Sequence, residues 1–137
     1  MSRVKRQDRL VRLRTIERRS AVSIAAEALA QVDRTTDQIA RLELLSQAIS
    51  PGAGVLLGGG LAAAGEYVTR LANGYLITER RLYRQTLEAD AAHKRYAVTD
   101  VRLQVAERLL DIARRSAERD DELRRERKRP ARARPAR

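Results

Sequence analysis

His93 is the only imidazole in the chain, it stands beside Lys94, and there is no cysteine. A single imidazole without a second nitrogen or a thiolate does not assemble a metal site. Gly52-Ala53-Gly54, with Gly58 further on, looks at first like a phosphate-cradling loop. The segment before it reads as helix, and the Gly-Lys-Ser or Gly-Lys-Thr that would reach the phosphates is absent. Asp33, Asp37, Glu79, Glu107 and Asp111 are spaced for solvated faces and for i,i+4 pairs such as Asp37 with Arg41, Glu66 with Arg70 and Asp111 with Arg115. General acid–base work needs a positioned pair inside a pocket, which two helices do not supply. The expectation is a non-enzymatic chain with no catalytic, cofactor-binding or metal-binding residues and no small-molecule substrate.

Arginine carries the remaining chemistry. Residues 1–20 hold eight Arg or Lys against Asp8 and Glu17, and residues 114–137 hold eleven against five acids. Each end is therefore +6, and residues 21–113 carry −1 of the total +11. Arg124-Arg125, Arg127-Lys128-Arg129 and Arg132 have the character of a phosphate-neutralising cluster, whose binding would be salt-dependent and blind to sequence. Stacking partners are missing beside them, because Tyr67, Tyr75, Tyr83 and Tyr96 all lie centrally. The competing reading is docking to an acidic protein surface through bidentate pairs with carboxylates. The candidate partner-binding arginines are Arg6, Arg9, Arg12 and Arg14 at one end and Arg114, Arg115 and Arg119 at the other.

The elements that must position these groups are helices. From Leu61 to Ala117 an apolar repeat alternates steps of three and four residues. One seam position reads Leu61, Val68, Tyr75, Leu82, Ala89, Tyr96, Leu103, Leu110, Ala117; the other reads Ala64, Leu71, Thr78, Gln85, Ala92, Thr99, Ala106, Ala113, Asp120. A stripe sustained this long is a coiled-coil signature. A rougher one runs through Val4, Val11, Arg18, Ala25, Val32 and Ile39, with Ala21, Ala28, Leu42 and Ile49 beside it. With no Phe, Trp or Cys, and with aromatics at three per cent, the chain has little to build a globular core.

Pro51 restricts Ser50 to extended conformations, and six glycines follow between Gly52 and Gly65, with Gly58-Gly59-Gly60 the sharpest expected break. The predicted architecture is all-α: a long antiparallel two-helix coiled-coil hairpin forming a single domain over 1–128. It comprises a helix of about 3–49, a Gly-rich bend at 50–60, a longer helix of about 61–127, and a disordered basic tail at 129–137. Folding about residues 51–60 sets Met1 near residue 110 and leaves 111–127 projecting past the first helix. Asn73-Gly74 is kept inside the second helix, because the heptad passes from Leu71 to Tyr75 without a slip.

Two features point to contacts beyond the hairpin itself. Tyr67 and Tyr83 fall outside the seam and, with Leu76, Ile77 and Leu87, widen the apolar face of 67–87. Leu44 to Gly65 is a run of 22 residues without charge, yet Pro51 and the glycines make it a poor span, so membrane contact is expected to be peripheral at most.

A basic N-terminal helix, a Gly- and Ser-containing break, and then Glu66-Tyr67-Val68-Thr69-Arg70-Leu71 leading into a longer charged helix with a basic end resembles the FliJ-type flagellar export family. The resemblance spans roughly residues 3–127. It implies a cytoplasmic two-helix coiled coil of the flagellar type III export apparatus, peripheral to the inner membrane. Its implied role is a stalk-like regulator of the export ATPase ring that contacts the export gate protein and escorts export chaperones. Arg6, Arg9, Arg12, Arg14 and the region 114–129 would then be placed at the ring. The alternatives are a basic coiled-coil nucleic-acid-associated protein and a membrane-surface adaptor using residues 51–65.

Overall fold

The computed structural model describes residues 2–48 and 58–131. Two helices, α1 (Arg3–Ala48) and α2 (Gly58–Lys128), account for nearly all of them, and no strand occurs among the described residues. Most of the expected bend and tail, residues 49–57 and 132–137, lies outside the described residues.

Helix α1 starts where Ser2 caps it. Its hydroxyl accepts the Lys5 amide hydrogen at 3.3 Å and its carbonyl accepts that of Arg6 at 3.2 Å, satisfying donors a helix start leaves open. Gly58-Gly59-Gly60, expected as the break, instead forms the first turn of α2. Each glycine costs about 1 kcal/mol against Ala, but helix propagates easily into them from Ala62-Ala63-Ala64. Asn73-Gly74 is helical, as its register requires, and the Gly74 carbonyl accepts a 2.6 Å hydrogen bond from Thr78. At the far end the Arg129 amide donates to the Arg125 and Glu126 carbonyls, and Pro130 has no amide hydrogen with which to continue.

The chain divides into two compact units, residues 21–96 and residues 1–20 with 97–137. In the first, Thr35 Oγ1 donates to Gln85 Oε1 at 2.5 Å and the Tyr75 hydroxyl lies 3.5 Å from Glu43 Oε1. In the second, Arg18 Nε donates to Asp100 Oδ1 at 2.9 Å. Within each unit, then, a segment of α1 runs antiparallel to a segment of α2.

Burial follows the α2 heptad closely. Its buried residues, Thr78, Ala92, Ala106, Leu110 and Ala113, all occupy seam positions. Small side chains there let the backbones approach closely, and no large side chain is fully enclosed among the described residues. On α1 the expected stripe is half-buried, and its one buried residue is Thr35, a polar member that an apolar reading passes over. Leu61 and Val68 remain exposed, because the register pairing Glu43 with Tyr75 carries them beyond Ala48. The overhang expected from residue 111 begins later. Ala113 is buried and Ala117 half-buried, while 118–131 are exposed. Setting Arg18 against Asp100 shifts the pairing by about one heptad from a fold centred on 51–60.

Candidate partner-binding surfaces

Charge divides between the units without remainder. The unit of 1–20 and 97–137 has 21 Lys or Arg against 10 Asp or Glu, a net +11; residues 21–96 have 8 against 8. All seven candidate arginines fall in the basic unit. Three of them are committed to neighbours on their own helix: Arg12 to Asp8 at 3.0 Å, Arg14 to Glu17 at 2.8 Å and Arg115 to Asp111 at 3.4 Å. These local pairs, with Arg14 and Glu17 part-buried, contribute a few tenths of a kcal/mol each. Arg6, Arg9, Arg114 and Arg119 make no ion pair among the described residues, and Arg114 borders a polar depression with Glu107 and Asp111.

In the basic unit an ion pair joins Arg18 of α1 to Asp100 of α2, and Gln104 Nε2 donates to the other Asp100 oxygen at 3.1 Å. Arg18 occupies a seam position and is half-buried. With both side chains more than a third exposed, solvent screens this pair, and its role is register more than stability.

The tyrosine face lies in the neutral unit. Leu76 and Tyr83, one heptad apart, line a shallow groove with Glu79, Arg80 and Arg84, and Tyr83 is 68% exposed. Tyr67 is exposed but is not among the residues of that groove, so the expected trio divides into a pair and an outlier. Seam residue Tyr75 has its pKa raised, first by a hydrogen bond to Glu79 and by that carboxylate's charge, with Glu43 adding to the effect. Both carboxylates penalise the phenolate, so this tyrosine is a hydrogen-bond donor rather than a base.

Sequence reasoning missed a second apolar line, on the basic unit. Leu10 and Arg14 of α1 face Val101, Arg102, Val105, Ala106 and Leu109 of α2 across a groove whose walls are almost wholly aliphatic. The seven-residue spacing of Val98, Val105 and Ile112 announces it, but a reading confined to seam positions does not count it.

His93 packs against Tyr96, with ring centroids 6.2 Å apart, and among the described residues no group of three or more His, Cys, Asp or Glu is placed to hold a metal ion. No helix among the described residues is long and apolar enough to cross a membrane. Comparison with known protein families, with curated proteins and with solved structures finds no match to the chain.

Proposed function

We propose that the protein is a non-enzymatic interaction module of flagellar type III export, a stalk-like regulator of the export ATPase that also contacts the export gate and escorts export chaperones. The observation that carries this reading is the concentration of all net charge in the unit holding both terminal segments. Much of that charge does nothing for the fold. Arg3, Lys5 and Arg6 stand in the first turn of α1 with no acid beside them, where the helix dipole disfavours cations by some tenths of a kcal/mol. Arginines held against a local penalty, with free guanidinium groups, are suited to carboxylates on a partner. The apolar pair Leu76 and Tyr83, in the neutral unit, supplies a separate surface for a gate protein or chaperone. On this reading the protein works in the cytoplasm, peripherally at the inner-membrane export apparatus.

The test is binding of the full chain to a purified flagellar export ATPase. Reversing Arg6, Arg9 and Arg12 to Glu should weaken binding at least tenfold with helix content unchanged, and removing 129–137 should leave it within about twofold. Unchanged binding by the reversal variant would dismiss the ring-facing role.

The same charge also favours a second reading, as a nucleic-acid-associated coiled coil. In that case removal of 129–137 lowers affinity for duplex DNA or RNA and flattens its dependence on salt.

A further inference from the structure

The aliphatic groove of the basic unit is more than a local dent. Val101 and Val105 are 57% and 49% exposed although they sit at its centre, and Val98 and Ile112 continue the line one heptad to either side. On α1, Leu13 and Ile16 follow Leu10 at three-residue steps and are also exposed. A two-helix pair that keeps so many large aliphatics out of its seam has the surface of an incomplete bundle, with room for one more helix along the groove.

Charge selects the occupant. Arg102 lines the groove and, in the heptad set by the buried seam, Arg6 and Arg9 of α1 occupy positions on its side. Of the acids of the same stretch, Asp8, Asp100, Glu107 and Asp111 fall at heptad positions on the other side of their helices, while Glu17, one heptad after Leu10, is on the groove side and is neutralised by Arg14 at 2.8 Å. Arg6, Arg9 and Arg102 make no ion pair among the described residues. A second copy of the chain would bring one +11 unit against another, which disfavours self-pairing here. A polyanion would satisfy the arginines but leave the valines and leucines in water.

We infer that this groove binds an acidic amphipathic helix of a partner protein, with apolar residues at three- and four-residue spacing seated on Leu10, Val101, Val105 and Leu109, and Asp or Glu flanking them toward Arg102 on α2 and Arg6 and Arg9 on α1. This goes beyond the export reading and does not depend on it: any partner bearing such a helix would serve.

The probe is a fluorescein-labelled designed peptide of about 25 residues with Leu at heptad seam positions and Glu on both flanks, titrated with the full chain and followed by anisotropy. Controls are the same peptide with Lys for Glu, and a composition-matched scramble. The acidic peptide should bind at least tenfold tighter than either control. Val105→Gln, on the exposed face and so compatible with folding, should weaken it at least fivefold, Arg102→Glu with Arg9→Glu at least tenfold, and Tyr83→Gln in the neutral unit not at all. Circular dichroism on each variant reports that the helices are retained. Equal binding of acidic peptide and scramble, or indifference to Val105→Gln, overturns the inference, as does a failure of the acidic peptide to bind. Two further outcomes overturn it in favour of other occupants: a dimer by light scattering that Val105→Gln dissociates, or a DNA duplex whose binding is weakened by Val105→Gln.

Discussion

Thr35 is the buried residue of α1, 3% exposed, and its hydroxyl donates across the helix contact to Gln85 Oε1 at 2.5 Å. That choice is unusual in this chain, because Thr15, Thr36, Thr69, Thr78 and Thr86 all donate to the carbonyl four residues back on their own helix. Thr35→Val keeps the shape, removes the hydroxyl and leaves a half-buried amide oxygen without its donor. The expected cost is about 1 kcal/mol, the net worth of a side-chain hydrogen bond. Gln85→Leu should cost less, about 0.5 kcal/mol, because the Thr35 hydroxyl can fall back on its own helix carbonyl. The double variant replaces both partners by apolar groups and should be near neutral, giving a coupling of roughly 1 kcal/mol or more in a double-mutant cycle. Urea unfolding followed by circular dichroism at 222 nm measures all four proteins. Additive single effects, with coupling under about 0.3 kcal/mol, would show that the bond does not tie α1 to α2.

Ala106 is 1% exposed in the seam of the basic unit, so Ala106→Leu should overpack the contact and cost about 1–3 kcal/mol, read as a lower urea midpoint. Nothing lies within 4 Å of a methyl group built on Gly74, which sits inside α2. Gly74→Ala should therefore raise the thermal midpoint, with a gain of about 0.5–1 kcal/mol. The Tyr75 phenol should titrate above its ordinary range, and Glu79→Gln should bring it back down, as followed by absorbance at 295 nm. The folded-state value is raised, so the neutral phenol is favoured in the fold. Its contribution is complete below the unfolded-state pKa of about 10 and disappears as pH rises through the higher folded value.

Most of the fold is legible in α2, where seam positions spaced by three and four residues predict every residue that becomes buried. Period fixes which side of a helix is covered, but not how far the partner slides along it. The register came out about one heptad from the expected one, since glycines at 58–60 entered α2 and Arg18 met Asp100. Thr35 escaped notice because apolarity was the criterion, and a buried threonine is visible only once its acceptor, Gln85, is placed opposite. On the surfaces, sequence grouped Tyr67, Leu76 and Tyr83 on one widened face; Leu76 and Tyr83 line a common groove, and Tyr67 is exposed outside it. It assigned the terminal arginines as a cluster without separating those paired on their own helix from those left free. The Val98, Val105 and Ile112 line is visible as a seven-residue spacing on α2 alone, and it went uncounted because the reading followed seam positions; only its partner Leu10 on α1 needed the register.

Every surface described here depends on α1 pairing antiparallel with α2 within one chain, and the absence of cysteine makes that directly measurable. Arg18→Cys combined with Asp100→Cys, treated at high dilution with a short bifunctional maleimide, should give a monomeric cross-linked product in high yield. Arg18→Cys combined with Glu118→Cys should not. Equal cross-linking of the two pairs, or product formed only between separate chains, would contradict the pairing.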